Sequence, residues 1–261
     1  MAAVAATMDS GGRERHYFFY RPANLGSKQV PLVLALHGYT EPATDLEGTT
    51  RLNDLAATAG FEVVYPQGIQ NSWNAGICCG DAVSEKIDDV AFLKALIDKL
   101  IAGGGIDARR VSVTGLSNGA FMSYRLACEL PDRIEAIVSV AGTMAVTSCR
   151  PAKPISVLEM HGDADDVVPY DGGDTGFGPF PSVHAVIARW LANDQCSTAQ
   201  ATTTNGTVRT DLWNMCAGGT IVRLDTIAGA GHTWFGADGA ANEPNATQVA
   251  WDFFSHLAAR S

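Results

Sequence analysis

Residues 111–120 read Val111-Ser112-Val113-Thr114-Gly115-Leu116-Ser117-Asn118-Gly119-Ala120, a short β-branched run that enters G-x-S-x-G and passes directly into helical sequence. The five-residue motif alone is short enough to arise by chance. Its setting raises its value, because a strand over 111–114, a turn over 115–119 and a helix continuing to about residue 130, where Pro131 prevents extension, make the strand–turn–helix of a nucleophile elbow. Glycines 115 and 119 relieve crowding where such a turn lifts a hydroxyl above the sheet edge. Ser117 is the expected nucleophile.

Working outward, β-rich runs alternate with helical patterns. Strands are expected over residues 15–20, 31–36, 61–65, 134–141, 155–160 and 220–227, and helices over 46–59, 84–101, 182–192 and 245–259. That rhythm predicts an α/β chain with a mostly parallel central sheet flanked by helices on both faces, and the elbow at Ser117 within it points to the α/β-hydrolase fold. Residues 1–12, Ala-rich at their start, are expected as a flexible tail ahead of one catalytic domain over 13–261. The Gly/Pro-rich residues 171–181 read as a surface loop bordering a substrate entrance.

With 261 residues, 46% of them hydrophobic, the chain can bury one large core. A formal charge of −10 argues against phosphate backbones and anionic lipid surfaces, so nucleic acid is not an expected partner. No apolar run reaches the roughly 18 residues of a membrane span, and the N-terminus lacks the basic leader and long apolar stretch of a secretory signal. The sequence does not address oligomeric state.

Six cysteines form an even set without zinc-site spacing. They point to disulfides and to a secreted or otherwise extracytoplasmic protein, with buried thiols in a cytosolic enzyme as the alternative. Cys196 and Cys216 flank a Thr/Asn/Gly-rich stretch and are the expected pair. An adjacent bridge would strain the backbone, so Cys78 and Cys79 are expected to have separate partners, drawn from Cys128 and Cys149.

A serine hydroxyl needs a base, and the base needs an orienting group. Gly229-Ala230-Gly231-His232-Thr233-Trp234 follows the last expected strand, making His232 the expected base, whereas His16, His184 and His256 lack such a strand-to-loop setting. The strand over 155–160 runs into His161-Gly162-Asp163-Ala164-Asp165-Asp166, at a strand end where sites of open α/β sheets are built. Spacing does not choose among the three aspartates. His37-Gly38-Tyr39 follows an early buried strand, and the backbone N–H groups of Tyr39 and Asn118 are the expected oxyanion donors, with His37 bracing the loop.

These stretches, together with Trp73-Asn74-Ala75-Gly76, Cys78-Cys79-Gly80, Asp88-Asp89-Val90 and Val168-Pro169-Tyr170, resemble the extracellular esterases related to polyhydroxybutyrate depolymerases and feruloyl esterases, including mycobacterial lipoprotein relatives. The resemblance covers nearly the whole chain. It implies that Asp165, three residues before Val168-Pro169-Tyr170, is the acid, and that no metal or organic cofactor takes part. It also suggests that Trp73 and Trp234 line the acyl or alcohol pocket. Phe235 stands where the family usually has proline, and no appended polymer-binding domain is seen, which argues against a crystalline polymer substrate.

The expected activity is hydrolysis of feruloyl-type, short acyl or hydroxyalkanoate esters through an acyl-enzyme. The alternatives are a serine peptidase or amidase of the same fold and a catalytically silent binding protein.

Overall fold

The computed structural model describes residues 2–237, 239 and 243–258; Met1 of the expected tail and Ala259 of the expected last helix lie outside them. In chain order the elements begin β1 Val4–Ser10, β2 Arg13–Tyr20, β3 Val30–Leu36, α1 Ala43–Thr50, α2 Leu52–Ala59, β4 Glu62–Pro66, α3 Gly80–Ser84, α4 Asp89–Ala102, β5 Ile106–Leu116 and α5 Asn118–Glu129. They continue with β6 Ala136–Val140, β7 Ser156–Gly162, β8 Gly173–Asp174, β9 Pro179–Phe180, α6 Val183–Asn193, β10 Ala201–Asn205, β11 Val208–Trp213, β12 Val222–Ile227 and α7 Ala246–Ala258.

Ten strands form one sheet in the order β1-β2-β4-β3-β5-β6-β7-β12-β11-β10. The six from β4 to β12 are mutually parallel, and antiparallel strands finish both edges. Strand side chains alternate between faces. Leu32, Leu34 and Leu36 pack with α4, α5 and α6 on one side, while Val33 and Ala35 pack with α1, α2 and α7 on the other. The chain leaves β3 toward β4 on one side and leaves β5 toward β6 on the other. The carboxyl ends of β3 and β5 therefore form the topological switch point where open α/β sheets bind ligands.

Several expectations need correcting. The N-terminal tail is instead an edge strand: Gly11 and Gly12, at φ 62° and 72°, close a two-residue turn that pairs Ser10 with Arg13 and Val4 with Phe19. The stretch before the last strand holds the β10–β11 hairpin, its turn at Gly206 and its strands built from β-favouring threonines. One expected helix is two, because Arg51 adopts φ 50° and ends α1. Helix α4 starts late, at Asp89, where the Asp88 side chain accepts from Ala91 N at 2.9 Å and caps the first turn.

Cys196 pairs with Cys216 as expected, bracketing the hairpin, and Cys128 pairs with Cys149 across a Cα separation of 5.1 Å. Cys78 pairs with Cys79, contrary to the expectation of separate partners. The reason is distance. Cys78 Sγ lies beside the Asn118 side chain at the start of α5, whereas Cys128 lies ten residues further along that helix, about 15 Å away and beyond a disulfide's reach.

Candidate active site

Ser117 occupies the turn between β5 and α5 with φ 53° and ψ −117°, a left-handed strain that persists only where its surroundings enforce it. Its N–H donates to Val140 O at 3.0 Å, and its carbonyl accepts from Phe121 N. A side chain at position 115 would meet the Gly119 carbonyl, and one at 119 would meet the carbonyls of Leu36 and His37. The two motif glycines thus allow β3, β5 and α5 to approach closely.

Around the serine lies a neutral lattice. The Asn118 side chain clasps the Trp73 backbone, accepting from Trp73 N at 2.7 Å and donating to Trp73 O at 3.1 Å. Trp73 Nε1 donates to His37 O at 3.1 Å. His37 donates from Nδ1 to Gly38 O and accepts at Nε2 from Gly68 N at 2.9 Å, which defines one neutral tautomer. Burial holds this imidazole down at about 4, against the opposing pull of the Gly38 hydrogen bond. His37 is thus neutral at neutral pH and braces the loop.

The Tyr39 N–H donates no hydrogen bond among the described residues, and the Asn118 N–H lies in the first turn of α5, where amides lack intrahelical partners. Sequence reasoning missed Glu41. Its Oε2 accepts from Gly38 N at 2.8 Å, and a Cβ placed on Gly38 would lie 3.3 Å from that oxygen and 3.7 Å from Ser117 Cβ. Burial raises the Glu41 carboxyl, aided by Asp45 and opposed by the Gly38 amide.

At the ends of β7 and β12, Asp165 Oδ2 accepts from His232 Nδ1 at 2.8 Å. Asp165 Oδ1 accepts from the amides of Val167 at 2.9 Å and Val168 at 2.8 Å, which fixes the carboxylate. Burial would lift the Asp165 carboxyl, but His232, the Val168 amide and His161 outweigh it and hold the group below the usual carboxylate range. With Asp165 ionised, His232 carries its proton on Nδ1 and leaves Nε2 free to accept one. The other two aspartates have different surroundings: Asp163 Oδ1 accepts from Gly229 N at 2.6 Å, and Asp166 is exposed.

Ser117 and His232 make no direct hydrogen bond among the described residues, a looseness common before substrate binds. The expected pocket tryptophans are elsewhere. Trp73 is fully buried, and Trp234, 2% exposed, donates Nε1 to Thr247 Oγ1 at 3.0 Å in the α7-side core. Each indole N–H has been drawn inward to a protein acceptor, so both rings brace the fold; Trp234 borders a cavity, but one shared with Thr50, Arg51 and Asn245, away from Ser117.

A parallel sheet whose central strand bends sharply at an accessible serine, with an imidazole–carboxylate pair on neighbouring strand ends, defines a hydrolase of the α/β-hydrolase class. The model of the esterase PHB depolymerase family matches residues 15–211, and the chain belongs to that family and is an esterase.

NocK of Nocardia uniformis subsp. tsuyamanensis, named an esterase, is 31% identical over 86% of this chain and 72% of its own length. Feruloyl esterase B of Piromyces equi is 29% identical over 87% of this chain but only 42% of its own length, so the chain spans less than half of that relative. In structure, the acetyl xylan esterase from Aspergillus awamori superposes with a TM-score of 0.68 at 18% identity, covering 92% of this chain and 94% of its own, a likeness of fold.

Proposed function

We propose that the protein hydrolyses carboxylic esters through an acyl-enzyme on Ser117, with His232 as base and Asp165 as its orienting acid. His232 Nε2 takes the Ser117 proton as Oγ attacks the ester carbonyl, and Asp165 stabilises the imidazolium. The Tyr39 and Asn118 amides receive the oxyanion, the His232 imidazolium passes its proton to the departing alkoxide oxygen so that a neutral alcohol leaves, and water activated by His232 then releases the acid. The observation that carries this reading is the strained Ser117 turn at the same sheet end as the Asp165–His232 pair.

The substrates this reading favours are esters with an apolar or aromatic group. Tyr39, Ile77, Val167 and Phe177 keep apolar surface in solvent on the loops around Ser117 and Asp165, and the Tyr39 and Phe177 rings meet edge to face at 5.9 Å. Relatives named for feruloyl, acetylxylan and hydroxyalkanoate esters agree with this range. Three disulfides support an extracytoplasmic location. No helix among the described residues is long and apolar enough to cross a membrane.

Initial rates on p-nitrophenyl acyl esters, methyl ferulate and hydroxybutyrate oligomers, measured for wild type beside Ser117→Ala, test the proposal. Hydrolysis that disappears in the variant supports it. Equal rates in both proteins reject Ser117 as nucleophile.

A further inference from the structure

Behind Asp165 lies a second carboxylate and imidazole that take no part in the proposed acyl transfer. Glu159 and His161, on β7, are fully buried, and His161 Nδ1 meets Glu159 Oε1 at 2.9 Å. Glu159 Oε2 accepts from Tyr124 OH, on α5, at 2.8 Å. On its other edge, His161 Nε2 meets the Val168 carbonyl at 2.8 Å and lies 3.4 Å from Asp165 Oδ2.

Proton counting narrows the choices. A carbonyl oxygen only accepts, so His161 Nε2 carries hydrogen. An ionised Glu159 facing a bare Nδ1 would set two lone pairs against each other at hydrogen-bonding distance, so one further proton lies between them. The pair is then either two neutral groups or a carboxylate and an imidazolium. The surroundings decide, since Asp165 approaches the ring edge away from Glu159 and an imidazolium there satisfies two carboxylates at once.

We propose that Glu159 and His161 form a buried carboxylate–imidazolium pair that positions Asp165 and supplies its second cationic partner beside His232. Two links do the positioning. His161 holds the Val168 carbonyl, and the Val168 amide holds Asp165 Oδ1, so the ring anchors the turn that carries the acid. Against the downward pull of burial, the hydrogen bond that His161 donates to Glu159 and the Glu159 charge raise the imidazole, which agrees with the charged form; burial also raises the Glu159 carboxyl, and the hydrogen bonds it accepts from His161 and Tyr124 oppose that rise. The other groups facing the pair are the Tyr124 hydroxyl from α5, the Tyr170 ring 5.9 Å from His161, Ser139 opposite Glu159 on β6 and Thr226 opposite His161 on β12. None of these adds charge at neutral pH.

The chemical consequence is a triad tuned toward acid. A positive charge beside Asp165 lowers the stabilisation that Asp165 gives a protonated His232, so the base stays available at lower pH. This rests on the proposed role of Asp165.

Glu159→Gln separates charge from bracing, because the amide can still accept from Tyr124 and donate to His161 Nδ1 while leaving that ring neutral. In nitrogen-15 spectra at pH 7, wild-type His161 should show both ring nitrogens protonated, and the variant should show one neutral tautomer. The acid limb of kcat/KM against an activated ester should move to higher pH by about half a unit in the variant. A neutral His161 in wild type overturns the proposal whether or not the variant folds, as does an unmoved acid limb in a folded variant. Failure of the proposed function would appear differently, as ester hydrolysis that survives Ser117→Ala.

Discussion

His37, just after β3, and His161, on β7, lie at the same end of the sheet, both are fully buried, and their imidazoles are pushed in opposite directions. His37 faces only neutral partners, namely the Gly38 carbonyl, the Gly68 amide and the Gln67 side chain, and burial keeps it neutral. His161 faces Glu159 and Asp165, and those carboxylates offset a comparable burial. Burial sets the cost of a charge, and the partner decides whether that cost is met. The site thus divides into a neutral frame around Ser117 and a charged relay behind His232.

The largest expected effect tests the relay. Asp165→Asn should lower kcat by roughly 10⁴-fold, because an amide can hold His232 in the wrong tautomer, while the melting temperature falls only modestly. A ten-fold loss or less, read by steady-state kinetics, would move the orienting role to another acid.

The neutral frame should reveal itself in stability against pH. The His37 pKa is depressed on folding, from about 6.5 to about 4, so its contribution is complete above pH 6.5 and is lost as pH falls toward 4. The loss is on the order of 3 kcal/mol. His37→Asn should flatten that part of the wild-type curve in denaturant titrations. Parallel curves for the two proteins would show that His37 is not held neutral.

Smaller again, Asn118→Ala leaves the buried Trp73 N–H without its acceptor, while Trp73 O keeps the amides of Ala75 and Cys79, and should cost about 1–3 kcal/mol, with a loss of activity as the loop near Ser117 loosens. Unchanged chemical denaturation would mean that the Asn118 clasp is not needed to hold that loop.

The finest test concerns the one carboxylate inside the neutral frame. Glu41→Gln keeps an acceptor for the Gly38 amide and removes a negative charge close to where the oxyanion develops, so kcat/KM at neutral pH should rise by about two- to five-fold. A fall would show that Glu41 assists the reaction.

Much of the fold was legible locally. Alternating β-branched and helical runs announced the central parallel strands, and the glycines around Ser117 announced the elbow. Strand β1, expected as a tail, and the β10–β11 hairpin, for which no element was expected, escaped notice because their turn signals, Gly11-Gly12 and Asn205-Gly206, sat in Ala-rich and Thr-rich stretches. The pairing of Cys78 with Cys79 and the burial of Trp73 were not legible, since both depend on where α5 passes.

By itself, then, the sequence determined the strand–turn–helix around Ser117, because backbone sterics and side-chain periodicity act over a few residues, and it placed Asp165 and His232 downstream of that serine and Cys196 and Cys216 at the two ends of one stretch. The tertiary structure decided that the tryptophans face inward and that Glu159 has partners at all, and it brings Asp165, which the family resemblance had singled out, against His232. Burial and charge pairing join residues dozens of positions apart, Tyr124 and Glu159 being 35 apart, and only the folded arrangement of strands and helices brings such groups within hydrogen-bond reach.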